Sequence, residues 1–180
     1  ALLLFSIQPM FAKMVLPKLG GAPAVWSVAM VFFQTVLLAG YAYAHLLNRA
    51  LRPRRAAMLH LLLVGGTAMM LPIAIAPGWV APPSSGTALW LFGLFAVSIG
   101  LPFFTLSASA PLLQTWFAAS GHRQAGNPYV LYAASNLGSF AALFAYPIVV
   151  EPFLTLKMQT AFWSLGFALL AVLLGIVGLF

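Results

Sequence analysis

The sequence predicts an all-α integral membrane protein, a bundle of about six transmembrane helices. Of its 180 residues, 63% are hydrophobic and 5% are charged, whereas a soluble domain is about 45 to 50% apolar and about 25% charged. Glu151 is the single acidic residue. The apolar stretches are long enough for a bilayer, which needs about 20 residues of helix per crossing. Lipid offers no partner to backbone polar groups, so these stretches must be helical.

Six apolar stretches define the predicted spans, all within one domain. They cover residues 1–16, 24–47, 56–76, 88–119, 129–150 and 158–180. The first is short for a crossing, which predicts that its start lies upstream and that the chain is a fragment of a longer protein. The fourth is too long for one straight crossing, and Pro102 and Pro111 predict a kink in it.

The net charge of +7 would indicate nucleic-acid binding in a soluble protein, but here the basic residues are divided among short loops. If the loops alternate between the two sides, one side holds Arg49, Arg52, Arg54, Arg55 and Arg123, and the other holds Lys13, Lys18 and Lys157. Clustered arginines near span ends favour the cytoplasmic side. Both termini are therefore expected in the cytoplasm.

Polar residues recur at helical spacing on the fifth span. They are Tyr129, Tyr132, Asn136 and Ser139. Such a stripe could line a polar pocket or pack against another helix. Small residues follow the same span, namely Ala134, Gly138, Ala141 and Ala145. Small residues beside Asn or Ser are typical of close helix packing in membranes, so packing is the preferred interpretation.

Two ionisable residues fall in or beside the spans. Glu151, near the end of the fifth span, could serve a proton relay or a cation site, or could simply be hydrated at the interface. Lys13 has the same ambiguity, because a lysine side chain can extend to the interface. We expect no charge pair within the membrane.

Two histidines, His45 and His60, flank the arginine-rich loop. A neutral imidazole can ligate haem iron or chlorophyll magnesium, so a pigment or haem contact is a weak possibility. No partner that would orient either imidazole is identifiable, and cysteine is absent. No cofactor and no metal site are predicted, and bound lipid is expected.

Motifs for conventional catalysis are missing from these residues. The sequence has no glycine-rich phosphate loop, no HExxH, no paired carboxylates and no nucleophile elbow. No catalytic residue is therefore predicted.

Four stretches carry a resemblance to a known family. They are LLLFSIQPMFAKMVLPKLGGAPAVW (2–26), VFFQTVLLAGYAYAHLL (31–47), GLPFFTLSASAPLLQTWF (100–117) and NPYVLYAASNLGSFAALFAYPIVVEP (127–152). The chain resembles the membrane portion of bacterial proteins described as fused major-facilitator and spermidine-synthase-like. This resemblance implies half of a major-facilitator fold in the bacterial inner membrane. It also implies a cytoplasmic aminopropyltransferase-like domain in a longer parent chain, no part of which lies in this sequence.

Three functions follow as expectations. The preferred one is a non-catalytic membrane module, a scaffold, anchor or accessory subunit of a larger complex such as a respiratory or photosynthetic one. The absence of charge pairs within the membrane favours it. The alternatives are half of a transporter, whose substrate would meet Asn136 and the tyrosines, and the membrane half of a polyamine-synthase-like enzyme. The expected partners are lipid, other membrane subunits or a second copy, and not nucleic acid.

Overall fold

The computed structural model describes residues 1–19, 23–79, 81–123, 125–127 and 129–179, and these ranges contain helices and no strand. The helices are α1 (Leu2–Leu19), α2 (Pro23–Ala50), α3 (Pro53–Ala68), α4 (Thr87–Phe95), α5 (Leu101–Ala119), α6 (Tyr129–Ala145), α7 (Glu151–Phe153) and α8 (Leu156–Leu179). A π-helical turn, Ala96–Gly100, joins α4 to α5, and another, Tyr146–Val150, joins α6 to α7.

Five of the described helical stretches are long and apolar enough to cross a membrane. They are Leu2–Leu19, Pro23–Ala50, Thr87–Ala119, Tyr129–Phe153 and Leu156–Gly178. The all-helical class and the multi-pass character predicted from the sequence are thereby confirmed.

The third predicted span differs from the structure. A helix was expected over 56–76, but α3 ends at Ala68 and residues 69–76 are not helical. At 16 residues, α3 is about 24 Å long, shorter than a hydrocarbon core of about 30 Å. Gly65 and Gly66 weaken the end of the helix, and Pro72 restricts the residue before it and cannot donate a backbone hydrogen bond. The non-helical backbone is partly paired by Ser98 of the π-helical turn, whose Oγ accepts from the Ala76 N–H at 3.0 Å.

The predicted kink in the fourth span corresponds to a π-helical turn beside Pro102, whereas the helix stays α-helical through Pro111. A proline ring clashes with the carbonyl four residues earlier, and one wider turn relieves that clash. The second π-helical turn contains Pro147 and precedes Pro152 in the same way. Proline therefore marks both irregular turns.

The core lies where α5 meets α1, α2 and α3, and the α4–α5 span is the most buried of the five. Four phenylalanine rings, one from each of four helices, pack in the order Phe11, Phe95, Phe33 and Phe103, with neighbouring centroids 5.0, 5.6 and 4.9 Å apart. Gly40 lets α2 approach α5 closely, since a Cβ there would stand 2.6 Å from the Cβ of Ser107. By contrast, α6 packs mainly on α1 and lies at the edge of the bundle.

The two ends of the bundle carry different basic residues. At one end Asn48 donates to Thr115 at 3.1 Å, and Gly178 lies beside Ala57. This arginine end includes the loop with Arg52 and the loop after α5. At the opposite, lysine end, Met14, Ile73 and Lys157 line a common pocket. The described connections between helices therefore alternate between the two ends of the bundle, as assumed from the sequence.

Candidate functional site: a cavity between α1, α2 and α6

A cavity of about 570 Å³ opens in front of α1, between α2 and α6. Most of its wall is apolar. Its described lining residues are Phe5, Gln8, Pro9, Lys13, Leu16, Trp26, Ala29, Met30, Phe33, Ala142, Leu143, Tyr146, Pro147 and Glu151. The volume falls within the range of about 300 to 1,000 Å³ that is common for small-molecule pockets.

An ion pair crosses this cavity. Lys13 Nζ lies 3.2 Å from Glu151 Oε1, and the side chains are 37% and 49% exposed. The pair forms because α1 and α6 run parallel. Gly138 of α6 lies against Leu2 at the start of α1, and further along both chain segments Glu151 lies against Lys13. Both residues belong to candidate spans, so the premise that the spans hold no charge pair is wrong. The argument that favoured a scaffold loses this support.

The polar stripe predicted on the fifth span, Tyr129, Tyr132, Asn136 and Ser139, lies on the cavity side of α6. Leu143 lines the cavity, and Asn136 is seven residues earlier, a spacing that returns to the same helix face. Tyr132 is one further turn away. Tyr129, Tyr132 and Asn136 are exposed, and Ser139 is half-buried with its hydroxyl bonded to its own helix. The stripe therefore extends the α6 wall of the cavity toward the arginine end.

The α2 wall continues in the same way. Trp26 and Met30 line the cavity, and Gln34, Tyr41 and His45 follow them at spacings of four, seven and four residues. All three are exposed. We call this side of the bundle, made by α1, α2 and α6 and including the cavity and both stripes, the groove face.

A second exposed face of α6 has a different character. Val130, Leu137, Phe144 and Ile148 recur on it at helical spacing and are all exposed, Leu137 to 70%. This face is uniformly apolar, as lipid contact requires. The groove face instead exposes Asn136, whose side chain makes no hydrogen bond within the described parts of the chain. An amide facing hydrocarbon is costly, so water or a protein partner is the natural environment for the groove face.

Of the small residues noted on this span, Gly138 packs on α1, whereas Ala134 is exposed. A Cβ at Gly138 would lie 3.4 Å from the backbone nitrogen of Leu2 and 3.6 Å from Ala1 Cβ. Ala142 is buried on the same side. Packing and the polar stripe thus occupy different faces of α6.

The two candidate cofactor ligands are placed very differently. His45 is exposed on α2, whereas His60 is 0% exposed. The Oγ–H of Ser109 donates to the Thr105 carbonyl at 2.7 Å, so its oxygen accepts from Nε2 of His60 at 3.1 Å. A haem or chlorophyll at His60 would require α3 and α5 to separate. No cluster of three or more His, Cys, Asp or Glu side chains within the described ranges could hold a metal ion.

Other interior polar groups also bond across helices. Thr67 and Thr105 hydroxyls are 2.8 Å apart, the Tyr146 hydroxyl donates to Gln159 at 3.0 Å, and the Trp163 indole donates to the Leu3 carbonyl at 3.0 Å. These bonds fix helix positions, whereas Gln34 and Asn136 of the groove face remain exposed.

Sequence reasoning missed Gln8, Trp26 and Met30 as cavity residues. Gln8 lies among apolar residues of α1, and that polar position was the one available signal. Trp26 and Met30 are apolar residues on an apolar span, and only the placement of α6 against α1 identifies them as a wall.

Comparison with known proteins identifies no relative: no family model matches the chain, and no curated protein or solved structure is significantly similar to it.

Proposed function

We propose that this chain is one half of a membrane transport unit, with the groove face as its substrate-binding side. Alternating access needs two halves that move about a central site. Here a cavity with a charged pair is open on one side of the bundle, where a second half could close it. The family resemblance implies the same arrangement.

The ion pair together with the exposed polar stripes is the observation that carries this proposal. Ionisable residues in membrane spans typically face a bundle interior or a water-filled path and mark substrate or ion sites. Lys13 and Glu151 lie in such a cavity, and Gln34 and Asn136 continue its walls. A surface made only for lipid would resemble the apolar face of α6 that bears Leu137 and Phe144.

The interrupted third crossing adds support. Transporter sites often adjoin helices that break within the membrane. Residues 69–76 are non-helical and contact Ser98 in a π-helical turn, and π-helical turns are frequent at functional sites. These two irregular segments could absorb a change in helix position.

We further propose that the arginine end faces the cytoplasm. The described arginines of the α2–α3 connection and Arg123 lie there, whereas the lysine end has Lys13 and Lys157. Clusters near span ends dominate orientation. The bacterial inner membrane is the location that the family resemblance implies.

Sided thiol labelling tests the transport proposal, since the chain has no cysteine. Met30→Cys and Leu143→Cys place a thiol in the cavity, Ser120→Cys reports the arginine end, and Val172→Cys, on the exposed apolar surface of α8, is the matched control. A membrane-impermeant maleimide should label both cavity thiols, and from both sides of the membrane, while Val172→Cys stays unlabelled. Cavity thiols as unreactive as the control would contradict the proposal.

A scaffold is the second candidate, and the interior hydrogen bonds favour it. Bonds such as Thr67 to Thr105 and Tyr146 to Gln159 cross between helices and would hold the bundle rigid. A rigid module that assembles through the groove face would satisfy Asn136 with a partner helix. In that case the cavity thiols would be protected from both sides in the native membrane and would become reactive when the assembly is dissolved.

A further inference from the structure

We propose that the cavity binds a small zwitterion with an apolar body, a compound with adjacent ammonium and carboxylate groups. The inference rests on the proposed function and names its substrate class. Lys13 would bind the carboxylate, Glu151 would bind the ammonium, and the apolar wall would hold the body.

The charges that line the cavity balance each other. Lys13 and Glu151 are the charged residues among the described lining of the cavity, and together they are neutral. A ligand with a single charge can pair with only one member and leaves the other without its counter-charge beside an apolar wall, a modest loss because both side chains are more than a third exposed. A zwitterion replaces both partners at once, so no charge is left without a counter-charge.

The ion pair is accessible to a ligand. Both side chains are more than a third exposed, so a ligand can reach them without unfolding the helices around them. Two other polar side chains of the lining already donate within the protein, Tyr146 to Gln159 and Gln8 to the Leu4 carbonyl. The ion pair is therefore the charged part of the cavity that a ligand can use.

The apolar wall of the cavity selects the uncharged part of the ligand. Phe5, Met30, Phe33 and Leu143 supply an apolar wall next to the pair, which favours an apolar substituent over a bare zwitterion such as glycine. The polar stripes with Gln34 and Asn136 continue from the cavity, and they indicate entry from water. A water-soluble zwitterion is thus favoured over the headgroup of a phospholipid.

Isothermal titration of the intact chain in nanodiscs tests this inference with five probes. L-leucine is the zwitterion with an apolar body, leucinamide is its cationic analogue, N-acetyl-leucine is its anionic analogue, and glycine lacks the body. Dihexanoylphosphatidylethanolamine supplies the zwitterionic headgroup of a lipid. Leucine should bind at least tenfold more tightly than each of the others. No binding of leucine, or equal or tighter binding of a singly charged analogue or of the lipid, would overturn the inference.

Variants assign the effect to the pair. Lys13→Met and Glu151→Gln should each weaken leucine binding at least tenfold, whereas Lys157→Met, outside the cavity lining, should leave it unchanged. The double variant Lys13→Met/Glu151→Gln leaves no unpaired charge, and it should be at least as thermostable as either single variant yet fail to bind. Retained binding in that double variant would overturn the inference. If leucine does not bind but the cavity thiols are labelled, the transport proposal stands and only the substrate class is wrong. If the cavity thiols are not labelled, the transport proposal itself is rejected.

Discussion

Lys13 of α1 and Glu151 of α7 join the first and last thirds of the chain, with Nζ and Oε1 3.2 Å apart. The two residues are remote in sequence and share no motif. Their approach depends on the parallel packing of α1 and α6 through Gly138. One contact therefore links the arrangement of the helices to the chemistry of the cavity.

The ion pair should contribute modestly to stability. Both side chains are more than a third exposed, so neutralising either partner should lower the free energy of unfolding by about 1 kcal/mol or less. A double-mutant cycle with Lys13→Met and Glu151→Gln, measured by thermal unfolding in detergent, should give a coupling of the same size. Purely additive effects would show that the pair does not persist in the membrane protein.

Gly40 should be intolerant of a side chain. A Cβ there would lie 2.6 Å from Ser107 Cβ and 3.1 Å from the backbone nitrogen of Ala108, so Gly40→Ala should destabilise by about 1 to 3 kcal/mol through overpacking. Gly175→Ala is the matched control, because nothing lies within 4 Å of its Cβ position. The control should be neutral or slightly stabilising. Equal unfolding temperatures for both variants would contradict the close approach of α2 to α5.

The buried His60 should depend on Ser109. Ser109→Ala removes the acceptor of the 3.1 Å bond and leaves a buried imidazole N–H unpaired, which should cost about 1 to 3 kcal/mol. Ser139→Ala is the control, since that hydroxyl bonds only within α6 at 3.1 Å, and its effect should stay within about 0.5 kcal/mol. Comparable unfolding midpoints would mean that His60 is hydrated or turned away from Ser109.

Ser98 should hold the non-helical segment that follows α3. Ser98→Ala removes the acceptor for the Ala76 N–H, whereas Ser98→Thr keeps a hydroxyl in place. Hydrogen exchange at the Ala76 amide should therefore accelerate in the alanine variant by about tenfold, equivalent to about 1.4 kcal/mol, a value within the net range of one hydrogen bond. Exchange at Leu112, in the core of α5, should not change. Unaltered exchange at Ala76 would remove Ser98 from this role.

Much of the fold could be predicted from composition, because lipid obliges apolar stretches to be helical. The end of α3 at Ala68 could not, since Gly65, Gly66 and Pro72 only weaken a helix, and the pairing of Ala76 with Ser98 that stabilises the alternative is a tertiary contact. The polar stripe of α6 was visible at helical spacing. Which face of α6 meets α1 was not, and that contact decides whether Asn136 is packed or exposed.

The pairing of Lys13 with Glu151 was likewise beyond sequence reasoning. Each residue was recognised alone as ionisable and near a span end, where hydration explains either one. Lys157 is much closer to Glu151 in sequence, yet Glu151 pairs with Lys13. The partner of Glu151 is decided by the packing of α1 beside α6, which is a tertiary contact.

The groove face should meet water, whereas the second exposed face of α6, which bears Leu137 and Phe144, should meet lipid. Nitroxide labels scanned over residues 130–148, on single cysteines in reconstituted vesicles, measure this directly through collision with a polar nickel chelate and with oxygen. Labels at Tyr132, Asn136 and Leu143 should favour the chelate, and labels at Leu137 and Phe144 should favour oxygen. Each preference should recur with a period of about 3.6 residues, and the two should be separated by about 100° around the helix, the rotation of one residue. Uniform preference for oxygen at all five positions would contradict the account.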